Sequence, residues 1–177
     1  MPSDAARAYA KGVDFEPGEQ TLAFLYGLID TAGDDQLYEW VRATPEHACL
    51  FAGKLDPVLE RASPHIVQLA EGSALLDRWR GEGWGQNWGI MCIADEPLST
   101  VRRHFRHFLQ VQVPDGKIML FRFYDPRVWR VYLPTCKSGD LQNWFAHVNE
   151  YRCEAPGGAG TLSYTWRAGK LTVAEIE

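Results

Sequence analysis

The sequence is short of most features that would announce a familiar chemistry. It has no uncharged run of about 18 residues that could span a bilayer, and Met1 to Lys11 has no apolar stretch of the kind a secretory leader carries. A cytoplasmic location is therefore the expectation. Cys49, Cys92, Cys136 and Cys153 stand far apart, with no pair at metal-ligand spacing, and without an oxidising compartment they read as buried free thiols. There is no Gly-x-Ser-x-Gly elbow, no P-loop and no His-Glu-x-x-His helix. That removes the commonest enzyme signatures, although a triad assembled in space leaves no such mark. Positive charge is also scarce: 18 Lys and Arg against 23 Asp and Glu give a net charge of -5, so neither nucleic acid nor an anionic membrane is the expected partner. Internal repeats and low-complexity tracts are absent.

What the chain does have is aromatic residues. Seven Trp, seven Tyr and eight Phe sit among 177 residues that are 46% hydrophobic and 23% charged, an aromatic-rich but otherwise ordinary globular composition, long enough for a substantial core. Residues 1–20 are polar, with Pro17 and Gly18, and read as a loose arm. Thr21 to Asp30 suits a buried first strand. Asp34 or Asp35 can cap a helix carrying Leu37, Tyr38 and Val41, and Asp56-Pro57 signals a second short helix. Strands are expected at His47 to Phe51 and His65 to Ala70, the latter followed by a helix capped by Ser73. This alternation predicts a mixed α/β domain, a mainly buried central sheet flanked by helices, over residues 21–154.

Gly81 to Gly89 holds four spaced glycines but follows a helix and opens the strand Ile90 to Ala94, so it reads as a connection rather than a phosphate-binding loop. Leu98, Val101, Phe105, Phe108 and Leu109 define an amphipathic helix over about Pro97 to Gln110, with Arg102, Arg103, Arg106 and His107 on its other face. A Pro-Asp-Gly turn then leads back as a hairpin. Leu141, Trp144, Phe145 and Val148 mark a later helix, and Tyr151 to Glu154 a short strand. Residues 155–177 read as a Gly-rich hinge and a terminal β-hairpin appendage.

The organising stretch is Lys117 to Pro134. Ile118 to Tyr124 is apolar or aromatic except for Arg122, the pattern of a strand covered on both faces. Asp125 and Pro126 then start a helix bearing Val128, Val131 and Tyr132 on one stripe, with Trp129 and Leu133 beside it. Arg122 within that run needs a carboxylate such as Asp125 or Asp30. Of the five histidines, His104 and His107 share a helix face at i, i+3 spacing, but no nearby acidic ligand completes a metal set. The three arginines of the basic helix suit a phosphate or an acidic partner, or simply a solvated face.

Phe121-Arg-Phe-Tyr-Asp-Pro-Arg-Val128, preceded by Arg102-Arg-His-Phe-Arg-His-Phe-Leu-Gln-Val111 and Leu25-Tyr-Gly-Leu-Ile-Asp30, resembles the DUF4123 family, adaptor chaperones of bacterial type VI secretion. The resemblance spans roughly Thr21 to Val148. It implies a cytoplasmic, non-catalytic protein without a cofactor. Such a protein binds a cognate effector and helps load it onto the spike, the valine-glycine-repeat trimer or its PAAR-type tip. Asp30, Arg122, Tyr124, Asp125, Pro126 and Arg127 match the family motif. Arg102, Arg103, Arg106, Trp84, Trp88, Trp129 and Trp166 are candidate partner contacts, the four tryptophans reading equally well as core. A small hydrolase or nucleotide-processing enzyme using His104, His107, Asp125 and the arginines, and an immunity-type toxin inhibitor, remain alternative readings.

Overall fold

The structure, a computed structural model, describes residues 23–176; the arm expected over residues 1–20 lies outside the described residues. The fold is mixed α/β. Its elements in chain order are β1 (Phe24–Asp30), α1 (Asp35–Ala43), β2 (His47–Cys49), α2 (Pro57–Arg61), β3 (Pro64–Leu69), α3 (Ala74–Arg78), β4 (Gly89–Ala94), α4 (Leu98–Arg106), β5 (Gln110–Gln112), β6 (Ile118–Leu120), α5 (Pro126–Tyr132), α6 (Ser138–Trp144), β7 (Glu150–Glu154), β8 (Thr161–Arg167) and β9 (Lys170–Ile176). A π turn, Trp79–Gly83, continues α3. Among the described residues, seven strands form one sheet in the order β2-β3-β1-β4-β7-β8-β9, and β5 and β6 form a separate two-stranded sheet. All the strand pairings are antiparallel.

Helices cover both faces of the large sheet. Tyr26 and Leu28 of β1, with Ile90 and Cys92 of β4, face Val101 and Phe105 of α4, Trp129 of α5 and Trp144 of α6. Leu25 and Ile29 face the other way, toward Leu37 and Val41 of α1, Leu75 and Leu76 of α3, and Trp79. Gly27 lies opposite Trp79, whose ring a Cβ at that position would meet at 2.5 Å. A strand buried on both sides loses the alternation of polar and apolar residues, which is why β1 reads as a continuous apolar run. The Asp34 carboxylate caps α1, accepting from Leu37 N at 2.9 Å, and Asp56 caps α2 in the same way. Ser73 stands at the start of α3 but makes no side-chain cap.

The doubly covered central strand is β1, and the expectation for Ile118 to Tyr124 is corrected. Only Ile118–Leu120 is extended, and all three residues are exposed. The Pro114-Asp115-Gly116 turn folds this run back on β5, so that Val111 pairs with Met119 outside the main sheet. The chain then leaves the hairpin, and Phe123 and Tyr124 are buried. Phe123 lies 5.7 Å from Phe105 and 5.2 Å from Trp144 between ring centroids. One apolar run thus serves two environments. α5 begins at Pro126 behind the Asp125 cap, but its buried stripe is Pro126, Trp129 and Leu133 while Val131 is exposed. The indole outweighs valine in apolar area and sets the helix rotation. α4 ends at Arg106, short of the expected Gln110, because Phe108 turns inward to stack on Trp144 at 3.7 Å. The C-terminal hairpin β8–β9 continues the main sheet through β7, with Leu162, Tyr164 and Trp166 on the face of the aromatic core.

Candidate functional site

Two regions gather the residues that carry chemistry, and the first is the junction after Tyr124. β1 ends at Asp30, whose amide donates to Trp88 O at 2.9 Å and whose Oδ1 accepts from Ala32 N at 3.1 Å. Its Oδ2 pairs with Arg122 Nη2. Asp30 is thus the partner that Arg122 requires, although Arg122 lies beyond the strand and its guanidinium is half exposed. Asp125 takes Arg127 instead: Oδ1 accepts from Arg127 N at 2.9 Å and Nε at 3.0 Å, and Oδ2 from Nη2 at 2.7 Å. The cap that starts α5 is therefore also a bidentate ion pair. Burial raises the Asp125 carboxyl, but the Arg127 hydrogen bonds and the charges of Arg127 and Arg122 together outweigh it and hold the group below its usual range. Burial, aided by the Asp30 charge, pushes the Tyr124 hydroxyl up to about 12. Asp30, Arg122, Tyr124, Asp125, Pro126 and Arg127 thus form one neutralised cluster, carboxylates inward and guanidiniums toward solvent.

The Gly81 to Gly89 loop is held by the chain's own carboxylate. Glu154 of β7 is buried. Its Oε2 accepts from Gly85 N at 2.8 Å and its Oε1 from Asn87 N at 3.1 Å. Gly85 has φ +88° and packs backbone to backbone on Gly158 at φ +72°, where a Cβ would meet the Gly85 Cα at 2.9 Å. Amides so oriented bind an anion, and here the anion is internal. Trp84 Nε1 donates to Gly160 O at 3.3 Å, and Arg130 Nη1 donates to Glu154 O at 2.7 Å. Glu154 left no trace in the sequence, because its partners are backbone amides of a loop about seventy positions away.

The second region lies beside α4. Arg102 donates from Nε to Cys49 O at 2.7 Å and from Nη2 to Phe51 O at 3.4 Å, fixing the bend that follows β2. Arg103 and Arg106 are exposed. Between that bend and the β5–β6 hairpin runs an open groove of about 580 Å³, lined by Phe51, Leu55, Leu109, Met119 and Arg106 among others. Ile118, Met119 and Leu120 beside it are 68%, 54% and 47% exposed. These three escaped the sequence reading because they sit inside an apolar run. The Pro-Asp-Gly turn just before them marked the hairpin, but not that its returning strand would stand in solvent.

The tryptophans divide. Trp129 is wholly buried, with its ring 4.5 Å from that of Tyr151, so of its two sequence readings it takes the core one and is no exposed partner anchor. Trp84, Trp88 and Trp166 are half-buried, with Trp88 5.8 Å from Trp40. Of the histidines, His104 and His147 are ring neighbours at 5.4 Å between centroids. His104 is buried with Nε2 3.1 Å from Trp144 O, His65 Nδ1 is 2.9 Å from Ser63 O, and His147 Nδ1 is 3.7 Å from Glu96. Among the described residues, no three His, Cys, Asp or Glu come together in a way that could hold a metal ion. No described helix is long and apolar enough to cross a membrane.

No curated protein and no solved structure matches the chain. The family model of the domain of unknown function DUF4123 matches residues 25–143, the span that runs from β1 through the Asp30–Arg122 junction into α6, and the chain belongs to that family.

Proposed function

We propose that this protein is a cytoplasmic adaptor chaperone that binds a cognate type VI secretion effector and helps load it onto the spike, through its valine-glycine-repeat protein or PAAR-type tip. The observation that carries the reading is the β5–β6 hairpin. Ile118, Met119 and Leu120 form a continuous exposed apolar stretch on a rigid α/β frame, and such patches on an otherwise polar surface mark sites of association with another protein. Membership of DUF4123 and the resemblance carried by Phe121-Arg-Phe-Tyr-Asp-Pro-Arg support the same reading. The ion pairs at the junction would keep that frame stiff, so that little ordering is lost on binding.

Co-expression with the toxin encoded next to this chain's gene tests the proposal. A complex that stays together through size-exclusion chromatography, and loss of that toxin from the medium of a secreting strain lacking this protein, are the expected results. Recovery of free protein alone, with unimpaired toxin export, overturns it.

A further inference from the structure

Resting on the reading of this chain as a protein-binding module, we propose that the groove between the bend after β2 and the β5–β6 hairpin receives an acidic segment of the partner protein that carries bulky apolar side chains. The hairpin is a two-stranded sheet standing apart from the main one, with every residue of both strands exposed. Two strands alone are marginally stable in water. Here the exposed side chains include Val111 and Met119, paired on one face of the hairpin, and Ile118 and Leu120 on the other, so cover from another chain on either face would remove two apolar groups from solvent.

The charge around the groove specifies the occupant. Arg106 lines it, Arg103 stands one turn earlier on α4, and Lys54 lies in the bend between Ala52 and Leu55. Among the described residues, none of these three cations has a carboxylate within ion-pair distance. Lys117, at the hairpin turn, is neutralised by Asp115 at 2.8 Å, and Arg102 is engaged by carbonyls. Among the described residues, a molecule of net charge -5 therefore keeps unpaired positive charge beside an exposed apolar surface. That combination attracts carboxylates flanking apolar anchors. It also disfavours a second copy of this chain hairpin to hairpin, since that arrangement would bring like charges together.

The test uses the full chain and the co-expressed toxin from the neighbouring gene. Met119→Ser with Ile118→Ser, and separately Arg103→Glu with Arg106→Glu, should each weaken the complex at least about tenfold with melting temperatures near that of the wild type. Raising the salt concentration should loosen the wild-type complex and leave the charge-reversed one nearly unaffected. Hydrogen exchange should slow at residues 50–55 and 110–120 in the complex, and changing Asp and Glu to Lys in the toxin segment protected in turn should restore binding to the charge-reversed variant. Wild-type affinity in both variants overturns the groove assignment and leaves the adaptor reading standing. A wild-type chain that binds no toxin overturns both. Self-association of the free chain that the hairpin substitutions abolish assigns the groove to a second copy and overturns the proposal.

Discussion

The Asp30–Arg122 pair joins the end of the central strand to the chain entering α5. The Asp30 side chain is only 10% exposed, and removing the guanidinium leaves it with the Ala32 amide alone. Because Arg122 is half solvated, the loss is smaller than for a fully buried pair: Arg122→Ala should lower stability by about 1–2 kcal/mol in urea denaturation. A double-mutant cycle with Asp30→Asn isolates the coupling. Glu154→Gln removes the charge from a carboxylate bound to two amides and should cost about 1 kcal/mol or more, with faster amide exchange at Gly85 and Asn87 and unchanged protection in β4. His104 sets an acid limit. Burial lowers its pKa to about 4, so the folded state takes up this proton less readily than the unfolded chain. Its stabilising contribution is present above the unfolded value of about 6.5 and is lost as pH falls toward 4, at most about 3 kcal/mol. Melting temperature should decline over that window, less steeply in His104→Gln.

At the scale of elements, legibility followed the number of faces each segment buries. β1 was readable because both faces are packed, and α1 and α2 because Asp34 and Asp56 put their caps in the sequence. The turn of the β5–β6 hairpin was readable from Pro114-Asp115-Gly116, but the exposure of its second strand was not, because Ile118 to Tyr124 mixes residues turned to solvent with residues turned to the core, and composition alone does not separate them. α5 shows the same limit: its start was plain from Asp125-Pro126, whereas its rotation depended on Trp129 finding the aromatic core formed with Trp144, Tyr151 and Tyr164. Of the candidate site, the motif cluster and the basic face of α4 were visible in sequence; Glu154 and the groove required tertiary placement. Gly27→Ala drives a methyl toward Trp79 and should destabilise by about 1–3 kcal/mol with altered tryptophan emission. Ile118→Ser on the open hairpin should change stability by no more than about 0.5 kcal/mol in the same assay.

For the whole molecule, the sheet order matters more than any single contact. β1 comes first among the described strands yet lies inside the sheet, flanked by β3 and β4, and β4, its middle strand, gains its outer neighbour only when β7 returns after α4, the hairpin, α5 and α6. Contacts so distant along the chain make folding slow to complete. During synthesis, a polypeptide released just before Glu150 would expose the bare edge of β4 and the uncovered rings around Trp129 to solvent. Ribosome-stalled intermediates ending there should fall quickly to protease, and those that carry β7 to β9 clear of the exit tunnel should resist it, so the segment from Glu150 to Ile176 decides whether a new copy survives.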